Sequence, residues 1–210
     1  MKKRPAPRSL GRREQNRLDK RERIQRAGWE LFTGIGYDDT TTRAVAERAD
    51  VAAGTLFLYA VDKRDLLCLV MHDELAAVTD DRFATMKPNA PLEDQLMHLF
   101  SGLFAMYREH PELAAAFVRH FPGADGPNGR ALMELTVTAV SRIAELVVRK
   151  QERGEVAADV DAFQAATNFF SLYFGVLISW ISGFITSDSA LDATLSGALD
   201  LQIRGLQPRP

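Results

Sequence analysis

The stretch TTRAVAERADVAAGTLFLYA, from Thr41 to Ala60, decides the fold. It reads as two short helices, roughly 42–49 and 53–60, joined by a turn at Asp50-Val51-Ala52. Two short helices on a tight turn recur in proteins that read DNA. A small residue must stand where the helices cross, because a larger one would push them apart, and Ala46 fits. Four residues on, the turn needs a residue that tolerates left-handed backbone. Glycine is easiest there, and Asp50 can adopt it at modest cost. Val45, Ala49, Val51 and Leu56 lie at the offsets that hold the pair to the rest of a domain. Any helical hairpin can show such spacing, so the neighbouring residues carry weight.

Upstream, Leu18, Ile24, Ala27, Leu31, Phe32 and Ile35 recur at helical spacing, and Gly34 and Gly36 end that helix. Thr40-Thr41-Thr42 supplies N-cap residues for the first short helix. Downstream, Asp62 caps a helix that runs to about Thr85. Pro88 and Pro91 break the chain, a helix follows to about His110, and Pro111 restarts a short one to Phe121. Residues 122–129, rich in Gly and Pro, read as a loop. Two long helices are predicted at roughly 130–154 and 160–185, and a last one at 189–206. No alternating strand pattern occurs. The expected class is all-α with about nine helices. The expected division is a flexible basic arm over 1–16, a helix-turn-helix domain over 17–67, and a helical domain over 68–210.

The ordered run Arg23-Ile24-Gln25-Arg26-Ala27-Gly28-Trp29-Glu30-Leu31-Phe32, Gly36-Tyr37, Thr41-Thr42-Arg43, Val45 to Ala49, Gly54-Thr55-Leu56-Phe57, Tyr59 and Lys63 closely resembles the DNA-binding domain of the tetracycline-repressor (TetR) family. The resemblance runs from about Arg21 to Leu67. It implies that Thr42 and Arg43 open the first short helix against DNA backbone. It implies that Ala53, Gly54, Thr55 and Phe57 start a recognition helix in the major groove, and that Tyr59 and Lys63 grip phosphate. The chemistry agrees: helix N-termini favour phosphate, Thr55 can hydrogen-bond a base edge or phosphate, and Ala53 and Phe57 can touch a thymine methyl. This chain departs from the usual pattern at Ala52 and Ala53, where hydroxyl and polar or basic residues are common. The recognition helix therefore lacks a cap, a loss of about 1 kcal/mol, and presents few hydrogen-bonding groups to bases.

Charge is uneven along the 210 residues. Residues 1–26 hold 11 Lys/Arg and 3 Asp/Glu, a balance of +8; residues 27–210 hold 15 and 25, a balance of −10. Such asymmetry suits a polyanion partner at one end, with a solvated basic tail as the plain alternative. Arg12, Arg13 and Arg17 are candidates for lying over phosphates or entering a minor groove. The basic start has no apolar stretch after it, and the single cysteine, Cys68, makes no internal disulfide, so a cytoplasmic setting is expected.

Residues 169–185 are apolar around a whole helix. A membrane span is disfavoured by the short length and absent basic flanks. Burial on every side is the alternative, with one face on the core and another on a second subunit. The last two helices can then form a four-helix interface across a two-fold axis, which is the dimer the resemblance implies and which suits a palindromic operator. Gly175, Ser179 and Gly183, at spacing four, permit close approach. Met71, Phe100, Phe104, Tyr107, Phe117, Phe121, Phe170 and Tyr173 are either ordinary core or the lining of a ligand cavity of the kind the family keeps. An unidentified small effector is expected as a partner. His72, His98, His110 and His120 lack metal spacing, so no metal or cofactor is expected, and Cys68 reads as a small buried hydrophobe. No glycine-rich phosphate loop, paired-histidine motif or nucleophile elbow occurs, so enzyme readings are disfavoured. The expected function is a sequence-specific DNA-binding regulator, a homodimeric repressor released by a mostly apolar ligand. The alternative is a helical small-molecule-binding or interaction protein with little DNA binding, supported by the missing cap at Ala52.

Overall fold

The computed structural model describes residues 11–208, which form nine helices and no strand. Three make the N-terminal unit: α1 (Arg12–Gly34), α2 (Thr42–Arg48) and α3 (Ala53–Leu56). Six make the body: α4 (Lys63–Thr85), α5 (Leu92–Glu109), α6 (Pro111–His120), α7 (Pro127–Glu152), α8 (Ala162–Ile181) and α9 (Asp188–Gly205). The expected class and helix order hold among the described residues.

α4 is the shared element, packed against α1, α5, α6 and α7. Asp65 to Met71 are buried without interruption, as a helix enclosed on all sides requires. Gly28 makes the α1–α4 crossing possible, since a Cβ there would lie 2.7 Å from Val70 Cγ2. α4 also runs unbroken through 67–68, so the expected domain boundary falls inside a helix.

Side-chain caps mark several of the helix starts. Asp62 accepts from the Asp65 amide at 2.8 Å, Asp161 from Gln164 at 2.9 Å, and Ser187 from Ala190 at 3.2 Å.

Four boundaries differ from expectation. α1 begins at Arg12, so residues 12–16, and with them Arg12 and Arg13, are helical rather than part of a loose arm; residues 1–10 lie outside the described residues. α3 closes after Leu56, and the chain continues to Ala60 in single turns, with Tyr59 N–H donating to the Leu56 carbonyl at 2.8 Å. α7 starts at Pro127 instead of about 130. α8 stops at Ile181 because Gly183 takes a left-handed φ of 75°, which removes Gly183 from the expected small-residue stripe on that helix.

The early start of α7 has a tertiary cause. The buried Asp65 carboxylate accepts from the Asn128 and Gly129 amides at 2.8 and 3.1 Å, so a residue of α4 caps α7. A Cβ at Gly126 would collide with that carboxylate.

α8 is long and apolar enough to cross a membrane by length and composition alone. Its inner side, Ala165, Ala166, Phe169, Tyr173 and Leu177, is nonetheless buried in the core. Outward it leaves Phe163 and Ile178 exposed, with Phe184 beyond its end and Leu201 on α9.

Candidate nucleic-acid interface and the cavity behind it

The reader is built as the spacing requires. Ala46 is 1% exposed at the α2–α3 crossing, and Val45, Ala49 and Leu56 are buried beside it. Asp50 has φ 52°, the one positive φ at a non-glycine among the described residues. Arg23 of α1 holds it in place, donating to the Asp50 carbonyl and carboxylate at 3.3 Å each. Thr41 caps α2 by accepting from the Ala44 amide at 3.1 Å. Thr40, buried, donates to the Gly36 carbonyl at 2.7 Å and secures the preceding loop. Ala52 has the extended backbone of an N-cap but no side-chain acceptor.

The candidate residues fall into two groups. Ala53, Gly54 and Phe57 are exposed and Thr55 is half-buried, so the start of α3 is presented to solvent. Thr42, the first residue of α2, is also half-buried, and Arg43 beside it is exposed and paired to Glu47 at 2.9 Å. Tyr59 and Lys63 are engaged internally. The Tyr59 hydroxyl donates to the Arg17 carbonyl at 3.2 Å, and its carbonyl accepts from Asn128 Nδ2 at 2.7 Å. Lys63 donates to the Asp38 carbonyl at 2.9 Å and lies 4.4 Å over the Tyr37 ring. Arg17 pairs with Glu14 on the exposed side of α1, while Arg12 and Arg13 are exposed. Exposed pairs of this kind contribute about 0–1 kcal/mol, so these cations can exchange partners for phosphate at little cost.

The reader meets the body at three seams. Asp65 forms the first. Besides capping α7, it accepts from the Val61 amide at 3.1 Å and from Asn128 Nδ2 at 2.9 Å. One buried carboxylate thus ties the segment leaving the reader to the first turn of α7. The second seam is α6: His120 packs in a tilted arrangement against Tyr37 at 4.9 Å between centroids, and Arg119 pairs with Asp38 at 3.8 Å. The third is the fork between Arg21 of α1 and Asp73 of α4, at 2.8 and 3.0 Å. Arg21 first, then His72 at 2.8 Å, hold the Asp73 carboxyl down at about 2.

Behind α6 lies a cavity of about 60 Å³. Of the eight expected residues, Tyr107, Phe117, Phe121, Phe170 and Tyr173 line it. Met71, Phe100 and Phe104 do not. They are fully buried, and Phe100 and Phe104 support the wall from behind, Phe100 stacked on Tyr173 at 4.6 Å and Phe104 tilted against it at 5.3 Å. The lining also includes Phe174, an aromatic residue absent from the expected set, and Leu75, Thr79, Leu103, Leu132, Leu135, Thr136 and Ala139, which aromatic content could not single out. Burial raises the phenols of both Tyr107 and Tyr173 above their ordinary range, so both stay neutral. The cavity is apolar with a few hydroxyls. Cys68 is 1% exposed and burial pushes its thiol up to about 12, leaving no thiolate for redox chemistry. Among the described residues no cluster of His, Cys, Asp and Glu is set to hold a metal.

Comparison with known proteins places this geometry. The sequence model of the bacterial regulatory proteins of the tetR family matches residues 24–68, from the core of α1 into α4. The HTH-type transcriptional repressor KstR of Rhodococcus jostii is 30% identical over 166 residues, covering 78% of this chain and 74% of that protein. The structure of Thermus thermophilus FadR, a TetR family transcriptional repressor in complex with lauroyl-CoA, superimposes with a TM-score of 0.74 at 26% identity, covering 90% of this chain and 96% of the other. FadR of Bacillus subtilis in complex with stearoyl-CoA shares the fold, with a TM-score of 0.70 at 19% identity over 89% of this chain and 99% of that one. The family model thus covers the reader built around Ala46 and Asp50, and the fold is shared along most of the chain with known repressors: the protein belongs to the tetR family and is a DNA-binding transcriptional regulator.

Proposed function

We propose that the chain acts in the cytoplasm as a homodimeric repressor that releases a palindromic operator when an apolar ligand enters the cavity behind α6. In this reading Ala53, Gly54, Thr55 and Phe57 enter the major groove, and Thr42, Arg43, Tyr59 and Lys63 hold phosphates. Arg12, Arg13 and Arg17 add backbone contacts from the start of α1. Each phosphate neutralised adds about 0.9 to the salt slope of binding. The second copy covers the exposed side of α8 and α9. Phe184 at 87% and Leu201 at 71% exposure support that, as does Gly175, where a Cβ would meet nothing.

One observation carries the release step. Phe117 and Phe121, at the C-terminal end of α6, form part of the cavity wall, and Arg119 and His120 between them touch the loop before α2. The cavity, about 60 Å³, is smaller than the roughly 300–1,000 Å³ of ligand pockets in general. A ligand must therefore displace aromatic walls, and displacing this one moves residues that grip the reader. Coupling follows when the ligand binds the displaced arrangement better than the closed one. Long-chain acyl-CoA thioesters, which the two FadR relatives hold, have the required chemistry: an apolar chain for the cavity and a polar remainder for its mouth.

The test uses a duplex selected from random DNA by the purified protein, followed by fluorescence anisotropy. Lauroyl-CoA or stearoyl-CoA is expected to weaken binding at least tenfold. Binding unaffected by either rejects this ligand class, and binding unchanged in Thr55→Ala, Tyr59→Phe and Lys63→Ala alike rejects the residue assignment.

A further inference from the structure

The outward surface of the reader holds very little that can hydrogen-bond. Ala52, Ala53 and Gly54 are exposed without a polar side-chain atom. Phe57 is 48% exposed, Val61 54%, and Leu58 83%. The Tyr59 hydroxyl is committed to the Arg17 carbonyl. Thr55 is the one polar side chain across residues 51–58. Leu58 follows the residues that the spacing singles out, and the chain turns there after α3 closes, which carries the side chain away from the core that Leu56 and Ala60 enter.

The rim of this surface carries two exposed ion pairs, Arg43 with Glu47 and Arg17 with Glu14, whose guanidinium groups can turn to phosphate at little cost. Arg43 lies on α2 with its side chain 84% exposed, and Arg17 lies on α1 beside Tyr59 with its side chain 60% exposed. An apolar patch bordered by exposed guanidinium groups suits duplex DNA better than an apolar protein surface, because phosphates complement the rim. In the major groove the apolar group that a base edge offers is the thymine C5-methyl.

We propose that Leu58, backed by Phe57, reads thymine methyl groups, so that this regulator selects its half-site by methyl positions more than by donor and acceptor pairing. The inference rests on the reading of α2 and α3 as a DNA reader and adds to it the chemical feature selected.

The experiment replaces each thymine of the selected half-site with deoxyuridine, one at a time. That removes a methyl and leaves every hydrogen-bonding group in place. Wild-type protein is expected to bind about fourfold more weakly for each contacted methyl lost, the factor that matches burial of one methyl-sized group. Leu58→Ala is expected to bind the thymine duplex several-fold more weakly and to be indifferent to deoxyuridine at the position Leu58 contacts. Its thermal unfolding and salt slope are expected to match wild type, since Leu58 touches neither core nor phosphate. Equal wild-type affinity for all thymine and deoxyuridine duplexes overturns the inference while leaving DNA reading intact. So does a Leu58→Ala protein that keeps the full deoxyuridine penalty at every position. Failure to bind any duplex overturns both.

Discussion

The reader and the body differ in what holds them together. In the reader, helices of 23, 7 and 4 residues are held by small residues and by backbone conditions met at fixed offsets: Ala46 at a crossing, Asp50 in left-handed backbone, Thr41 as a cap. In the body, long helices are held in part by aromatic side chains packed around Tyr173, beside a cavity. The first kind of structure is rigid and presents a surface. The second has bulky side chains that a ligand can rearrange. The difference teaches where regulation has to act: on the seams that join the yielding part to the rigid one, at Asp65, α6 and the Arg21–Asp73 fork.

Breaking the first seam has the largest expected effect. Asp65→Ala removes the cap of α7 and the bonds to Val61 and Asn128, leaving several buried N–H groups unpaired, at roughly 3 kcal/mol. Urea unfolding checks this, and a loss below about 1 kcal/mol would contradict the role given to that carboxylate. Next is Gly28→Val, which drives a side chain into Val70 at the α1–α4 crossing and costs about 2 kcal/mol through overpacking. Circular dichroism melting reports it, with the helix content retained. Ala52→Ser sharpens the reader: the extended backbone at 52 is ready for a cap, so stability rises by about 1 kcal/mol. No gain would mean that the hydroxyl finds no amide at α3.

The smallest effect concerns acid. The Asp73 carboxyl is lowered from its ordinary 3.8 to about 2. A lowered value means that the fork stabilises the fold above about pH 4, and that this contribution fades as pH falls toward 2. Asp73 is part-exposed, so the contribution is held to about 1 kcal/mol. Asp73→Asn is expected to flatten the stability profile between pH 4 and 2, and an unchanged slope would remove the fork from the account.

How much of this was legible in the sequence follows from the same contrast. Helix order and class follow from apolar spacing and from Asp62, Pro91, Pro111 and Ser187 at the starts. The geometry of the reader was legible because its constraints are local; the left-handed Asp50 and the uncapped Ala52 both stand where the spacing put them. The start of α7 was not, because the residue capping Pro127-Asn128-Gly129 lies more than sixty positions earlier. Nor was the internal engagement of Tyr59 and Lys63, whose partners Arg17 and Asp38 belong to other elements. Tyr107, Phe117, Phe121, Phe170 and Tyr173 were legible as part of the run of aromatic and sulfur-bearing residues in the middle helices. Met71, by its sulfur, and Phe100 and Phe104, by their rings, belong to the same run, and only the docking of helices separates a cavity wall from the packing behind it. Leu58 had no signal in periodicity, because α3 closes two residues before it.

The most direct test of the account is the affinity of the purified protein for its selected duplex, measured with and without a long-chain acyl-CoA at two salt concentrations. The account predicts binding that falls steeply as salt rises and that is lost, by tenfold or more, when the acyl-CoA is present. Affinity that ignores both salt and acyl-CoA would contradict it.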